Sequence, residues 1–299
     1  YLFYNSRPMK ILLTGKTGQV GGELNSILKD MGELVSVGRE QLDLSKIDSI
    51  EPAVLDILPD IIINAAAYTA VDNAEEEPDL AMTINGVAPG VLAKAAKKVG
   101  ASLIHYSTDY VFDGRSDTPY REEDATCPLS IYGESKLTGE KNIAKTGIPY
   151  LILRTSWVYS LQGKSFLRTI KKLAAERDTL RIVDDQIGAP TWAHSIALAT
   201  RKIIEQCLRD RVEPSLSGVF HLTCQGQSSW HGFAKEILDL SGASHDTQLL
   251  PIPTSDYPTP AARPLYSLLS NNKLKKVFAF EMPHWHDALK DCISSTPTI

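Results

Sequence analysis

No excess of positive charge, no long apolar run and no clustered cysteines mark this chain, and each lack removes a class of function. The formal net charge is −5, which leaves no basic footprint for nucleic acid. No stretch approaches the ~20 apolar residues that a membrane-spanning helix needs. The first eight residues, Tyr1 to Pro8, lack the apolar core of a signal peptide and are expected to be an extension ahead of a start at Met9. The four cysteines, Cys127, Cys207, Cys224 and Cys292, are widely scattered, with no Cys-x-x-Cys pair for zinc and no disulfide-dense pattern. A reducing cytoplasm is the expected compartment. Repeats, low-complexity tracts and long charge runs are also missing.

What is present is a long alternation of apolar strands and amphipathic helices. With 299 residues, 43% of them hydrophobic, the chain can bury a large core, and two unequal domains are expected. From Lys10 the pattern gives a strand (KILLTG), a helix from about Val20 to Met31, a strand (ELVSVG), a helix ending near Leu58, and the strand Asp60 to Ala67. A helix across Leu80 to Val99, the strand Ala101 to Ser107, a helix holding Tyr132 and the strand Pro149 to Ser156 follow. Nearly continuous apolar strands are those covered by helices on both faces. The expected fold is therefore α/β, a doubly wound parallel sheet of Rossmann type, with a smaller C-terminal α/β substrate domain. The boundary falls between residues 155 and 156, residues 1–155 forming the dinucleotide-binding domain and 156–299 mainly the substrate domain, with some segments returning to the sheet. Beyond Trp157 the rhythm loosens into short strands (LRIVDD, VFHLTC), helices and a proline-rich stretch from Leu249 to Pro264, too rich for helix interiors.

Gly15, Gly18 and Gly21 follow the first strand and open the first helix. Glycines there let backbone amides approach a pyrophosphate, and the helix N-terminus adds partial positive charge. The Gly15-Lys16-Thr17 tripeptide invites a P-loop reading, which fails because that motif requires glycine where this chain has Lys10. At the end of the second strand Arg39 can pair with a 2′-phosphate, which favours NADPH over NADH, with NADH left possible by the neighbouring Glu40. Asp43 and Leu44 stand where they can contact adenine.

Tyr132 and Lys136 are four apart on a helix and so share one face. A free phenol has a pKa of about 10, and a nearby ammonium is expected to lower it, which suits acid/base work on an alcohol or ketone. Thr108, at the end of an apolar strand, can hold a substrate oxygen against Tyr132. The same spacing occurs in many helices without catalytic meaning, so its weight comes from the companions.

Those companions resemble a known family, the extended short-chain dehydrogenases/reductases. Within it the chain is similar to the reductases of dTDP-bound 4-keto-6-deoxy sugars. The resemblance rests on GKTGQVG (Gly15 to Gly21), INAAAYTAVDNAE (Ile63 to Glu75), HYSTDYVFDG (His105 to Gly114), YGESK (Tyr132 to Lys136), RTSWVY (Arg154 to Tyr159), DQIGAPT (Asp185 to Thr191) and AARP (Ala261 to Pro264). It implies cofactor contacts from Gly18, Gln19, Val20, Asp43, Leu44, Ala67, Tyr68, Thr69 and Tyr106, and a catalytic set of Thr108, Tyr132 and Lys136, the last two also touching the cofactor. It implies Asp109 and Trp157 near the sugar and Arg263 on the substrate diphosphate, a task its guanidinium fork suits. The implied reaction is NADPH-dependent reduction of a C4 ketone on a dTDP-sugar, supplying cell-surface polysaccharide, by a monomer or homodimer. Some relatives are described as binding magnesium through acidic residues at a dimer contact. His194 and Ser295 stand at such positions here, which makes Mg2+ doubtful, and no metal is expected.

Two rivals share the fold. Nucleotide-sugar dehydratases typically carry Thr-Asp-Glu where this chain has Thr108-Asp109-Tyr110, so the acid for water elimination is missing; epimerases belong to the same group. A non-catalytic regulatory subunit of the methionine adenosyltransferase beta type has a similar DYVFDG segment and can retain Tyr-x-x-x-Lys. Trp157 and the intact DQIGAPT favour the enzyme.

Overall fold

In the computed structural model, which describes residues 7–207, 216–242 and 247–295, β1 (Lys10–Thr14) sends Ile11 and Leu13 to one face of a sheet and Leu12 to the other. All three are buried, as a two-sided apolar run implies. Of the expected N-terminal extension, Tyr1 to Ser6 lie outside the described residues. The chain continues through α1 (Gln19–Ile27), β2 (Glu33–Val37), α2 (Ile47–Ile57), β3 (Ile61–Asn64), α3 (Val71–Glu76), α4 (Pro78–Ala81), a π-helical segment (Met82–Val87), α5 (Ala88–Val99), β4 (Ser102–Thr108), α6 (Ile131–Ala144) and β5 (Tyr150–Thr155). The second half adds β6 (Val158–Tyr159), α7 (Phe166–Glu176), β7 (Thr179–Val183), β8 (Ile187–Gly188), β9 (Thr191–Trp192), α8 (Ala193–Cys207), β10 (Gly218–His221), β11 (Ser228–Ser229), α9 (Trp230–Ser241), β12 (Gln248–Ile252), α10 (Asn272–Phe278) and α11 (Trp285–Ser294).

Six strands form one parallel sheet in the order β10-β5-β4-β3-β1-β2. The order reverses at β1, between β2 and β3, and crevices at such reversals are where open α/β sheets take ligands. One face is covered by α1 and α8, through Leu24, Leu28, Ile196 and Ile203. The opposite face carries Ile50 and Val54 of α2 with Leu92 and Ala96 of α5. The C-terminal half thus contributes α8 and β10 to the sheet layer. Its other helices, α7, α9 and α11, close around Leu167, Phe233, Leu238 and Leu289 in a core of their own.

Two elements differ from the sequence expectation, and a third adds a strand where only helix was excluded. The first helix ends at Ile27 instead of Met31, because Glu33 N must donate to Met9 O at 2.8 Å to open the β1–β2 ladder. The single helix expected over Leu80 to Val99 is interrupted by the π-helical turn at Met82–Val87. There α6 comes close: a Cβ on Gly139 would lie 2.2 Å from Asn85 O, and an apolar period does not register one extra residue in a turn. At the start of the proline-rich stretch, Gln248–Ile252 forms a strand. Among the described residues it pairs with β7 alone, an edge position of the kind that tolerates Pro251.

Candidate active site

The turn after β1 is shaped by backbone approaching backbone. Gly15 has φ +77°, and a Cβ there would come within 2.7 Å of Ala66 N; a Cβ on Gly21 would lie 2.0 Å from Gly15 O. Side chains are therefore excluded from the space between the turn and the first turn of α1. Gly18 stands at the helix N-cap with no side-chain cap, and the first turn carries no acid, so its amides remain available to an anion. Gln19 Oε1 is buried without a hydrogen-bond partner. Val20 packs against the core on the α1 face. Lys16 Nζ donates to Ser36 O at 3.2 Å, which ties the turn to β2. A dinucleotide pyrophosphate fits this cradle.

The residues at the end of β2 divide. Arg39 is largely exposed, its Nε 3.4 Å from Asp43 Oδ2. Asp43 Oδ1 accepts from Ser45 N at 3.0 Å and Ser45 Oγ at 2.7 Å, and these bonds hold its carboxyl below the usual range, with a smaller contribution from Arg39. Leu44 is buried among α2 side chains, so its side chain is core and only its main chain can meet a ligand. Tyr106 is similar: its hydroxyl lies 2.6 Å from Thr200 Oγ1 in the interior, leaving the backbone to face the site. Ala67, Tyr68 and Thr69 form the partly exposed loop after β3. Asn85, which the sequence did not single out, clamps that loop, accepting from Tyr68 N and donating to Tyr68 O, both at 2.9 Å.

Tyr132 lies in the first turn of α6, whose N-cap Ser130 accepts from Gly133 N at 3.3 Å. Its hydroxyl neighbours Thr108, at the last position of β4. Thr108 Oγ1 in turn donates to Asp109 Oδ1 at 3.0 Å. Desolvation raises the Tyr132 phenol to about 12, with the nearby Thr108 hydroxyl acting in the opposite sense. This corrects the expectation of a phenol lowered by its lysine. Lys136 is buried and its Nζ donates to Tyr106 O at 2.5 Å, with desolvation lowering its pKa to about 8. An amine so engaged does not bear on the phenol, which is left protonated. Asp109 is buried, one carboxylate oxygen without a partner, and desolvation pushes it up to about 6 despite hydrogen bonds from Ser267 and Thr108.

The C-terminal motifs converge on the same end of the sheet. Trp157 has a left-handed backbone, φ +47°, and its ring stacks on Trp230 with centroids 3.6 Å apart and planes 5° from parallel. Close to the ring is Gly188 of the DQIGAPT segment, where a Cβ would meet Trp157 Cε2 at 2.5 Å. Arg263 makes a two-pronged pair with Asp72, Nη1–Oδ1 3.0 Å and Nη2–Oδ2 2.7 Å. Its charge also reaches Tyr110, whose ring meets Tyr132 edge-on at 5.4 Å. Asp72 lies inside a motif the sequence flagged, but neither Trp230 nor Asn85 carried a signal. His194 Nδ1 sits 2.8 Å from Glu23 Oε2. Among the described residues no group of three or more histidine, cysteine, aspartate or glutamate side chains is arranged to hold a metal, and no helix is long and apolar enough to cross a membrane.

A parallel sheet with a glycine turn at its reversal point, and a tyrosine and lysine four apart beside a strand-end threonine, define an oxidoreductase of the short-chain dehydrogenase/reductase type. The profile of the RmlD substrate binding domain matches residues 9–297, and the chain belongs to that family. A dTDP-4-dehydrorhamnose reductase of Burkholderia thailandensis is 49% identical over 292 residues, spanning 95% of this chain and 98% of that relative. The reductase of the same name from Escherichia coli K12 is 43% identical, spanning 94% and 96%. Among solved structures, the Bacillus anthracis dTDP-4-dehydrorhamnose reductase in complex with NADP superposes with a TM-score of 0.90 at 36% identity, over 96% of this chain and 99% of that one.

Proposed function

We propose that this protein reduces the C4 ketone of dTDP-4-dehydro-6-deoxy-L-mannose to give dTDP-L-rhamnose, with NADPH preferred over NADH. The observation that carries the reading is Tyr132, with Lys136 one turn on, beside Thr108 at the carboxyl end of β4, on a sheet whose glycine turn fits a pyrophosphate. Gly15, Gly18, Gln19, Val20 and Gly21 would hold the dinucleotide, with Arg39 at its 2′-phosphate. A nicotinamide cofactor bound there would supply hydride for the carbonyl carbon. Tyr132 donates its proton to the oxygen as charge develops there, and Thr108 fixes that oxygen's position. A phenol held near 12 is an available acid at neutral pH, and an alkoxide is basic enough to take its proton. Lys136, whose Nζ donates to Tyr106 O, would hold the nicotinamide ribose.

Trp157, stacked on Trp230 and crowded by Gly188, would border the sugar with its indole, and Asp109 would offer a hydrogen-bonding group. Arg263 takes the diphosphate. Tyr110 replaces the second acid that water elimination would need, which disfavours a dehydratase, and the likeness to a UDP-glucose 4-epimerase at 18% identity extends to the fold alone.

The test is a coupled assay in which the keto sugar is made in situ from dTDP-glucose by the upstream enzymes. NADPH oxidation that depends on the keto sugar, with dTDP-L-rhamnose recovered as product, is the expected result. Cofactor binding without turnover would favour the regulatory-subunit reading.

A further inference from the structure

The Trp157–Trp230 stack is pinned from its edge by a segment that bears on both rings. A stack fixes the plane of a ring but leaves it free to slide and turn within that plane, whereas a directional bond at the ring edge stops both. Trp230, the first residue of α9, has such a bond: its Nε1 donates to Gln186 Oε1 at 3.1 Å. Gln186 is 5% exposed and directly precedes β8, where Gly188 crowds the Trp157 ring. β8 in turn pairs antiparallel with β11, Gly188 opposite Ser228 and Ile187 opposite Ser229, immediately ahead of Trp230. The stretch from Gln186 to Gly188 within DQIGAPT thus holds one tryptophan by its edge and lies against the other.

The edge bond has one possible direction. A glutamine amide can be turned end for end, and its neighbours have to set its orientation. An indole N–H donates and never accepts, so the amide oxygen faces Trp230. The amide nitrogen then faces Thr254 and donates to its Oγ1 at 3.1 Å. That hydroxyl, accepting from Gln186, donates its own proton to Asp185 Oδ1 at 2.6 Å. Asp185 also accepts from Thr254 N with both oxygens, at 2.9 Å each. The relay therefore runs from a group that can only donate to a carboxylate that accepts, and it ties the start of α9 to the turn after β12. Turning the amide over would set N–H against N–H at a covered position, an unpaired arrangement that costs stability.

We infer that Gln186 is a positioning residue for the sugar site: by fixing Trp230 within its plane it fixes the Trp157 indole stacked on it, and so sets the fit of the hexose ring beside Trp157. The inference rests on the placement of the sugar at Trp157 given above. Phe166, its centroid 4.6 Å from that of Trp230 and its plane tilted by 50°, gives the ring an apolar neighbour without a directional bond, so it does not replace Gln186. Trp157 itself keeps a left-handed backbone, which a bulky residue holds only where its surroundings over-determine it. The pinned stack supplies that constraint.

The four tryptophans give four indole N–H signals in a 15N correlation spectrum of the full chain, and through-bond correlation to the backbone assigns each. In the unaltered protein the Trp230 indole proton should exchange slowly with solvent; exchange as fast as a free indole's overturns the proposal without any variant at Gln186. Gln186→Met keeps the side-chain length and removes the acceptor. The Trp230 and Trp157 signals should then move together while those of Trp192 and Trp285 stay. The KM for the dTDP-sugar should rise about tenfold, the worth of one lost hydrogen bond, with kcat and the KM for NADPH unmoved. Gln186→Glu, which still offers an oxygen to the indole, should bring both signals and the KM back near their original values. A Trp157 signal or a sugar KM that ignores Gln186→Met, or a glutamate variant that behaves as the methionine one, would show that Gln186 merely fills space. Coupled indole signals in a protein that never oxidises NADPH would instead count against the reductase reading alone.

Discussion

Asp72 and Arg263, 191 residues apart in sequence, close a two-pronged ion pair that joins the first turn of α3 to the loop after β12. Arg263 Nη1 also donates to Ala261 O at 3.0 Å, so the fork is oriented from two sides. Arg263→Ala should raise the KM for the dTDP-sugar about 10- to 100-fold, the range of a lost charge-assisted hydrogen bond, with the KM for NADPH unmoved. Asp72→Ala should raise it less, and the double variant should match Arg263→Ala, since Asp72 then has nothing to orient. Steady-state kinetics of the three variants decide the matter, and an additive double variant would place Arg263 away from the substrate.

Tyr132→Phe keeps the ring packed against Tyr110 and removes the proton donor. A fall in kcat of about 10²- to 10⁴-fold is expected, with NADPH affinity little changed when followed by fluorescence titration. Turnover close to the original would take Tyr132 out of the mechanism.

Arg39 is exposed and paired only with Asp43 among the described residues, so its guanidinium can turn to a 2′-phosphate. Arg39→Ala should weaken NADPH about tenfold and leave NADH unchanged. Calorimetric titration of both cofactors checks this; equal losses would show that Arg39 has no part in the preference.

Asp109 gives a stability prediction with a definite sign. Its carboxyl titrates at about 6 in the folded chain against 3.8 as the ordinary value. Between those values the folded state binds the proton that the unfolded state has lost, so this group's contribution falls as pH rises through the window. Above it, a buried charge costs on the order of 3 kcal/mol. Asp109→Asn should therefore raise the denaturation midpoint at pH 8, with the gain shrinking through pH 6 toward pH 4. Asp43 and Asp72, whose pKa values are lowered, pull the opposite way but cancel between variant and parent.

Gly188→Ala would press a methyl into the Trp157 ring. Since that ring is already stacked on Trp230, relief requires moving both, and a loss of about 1–3 kcal/mol is expected, seen as a lower Tm. The KM for the sugar should rise with it. An unchanged Tm would mean that the two tryptophans slide freely.

The sequence by itself determined the parallel sheet, the glycine turn and the pairing of Tyr132 with Lys136. These follow from period, from strand apolarity and from a spacing of four, all properties of neighbours along the chain. The broken helix at Met82–Val87, the strand through Pro251 and the state of the Tyr132 phenol were decided only by tertiary structure. Asn85 reaches Tyr68 because α6 crosses the π turn at Gly139. Trp157 is held by Gly188 and Trp230, which lie far along the chain. Above all, spacing put Lys136 on the right face of α6 but could not say where its amine points. That was settled by the Tyr106 carbonyl, brought beside it by β4, because protonation in a buried site depends on which groups surround it in space and not on which precede it in sequence.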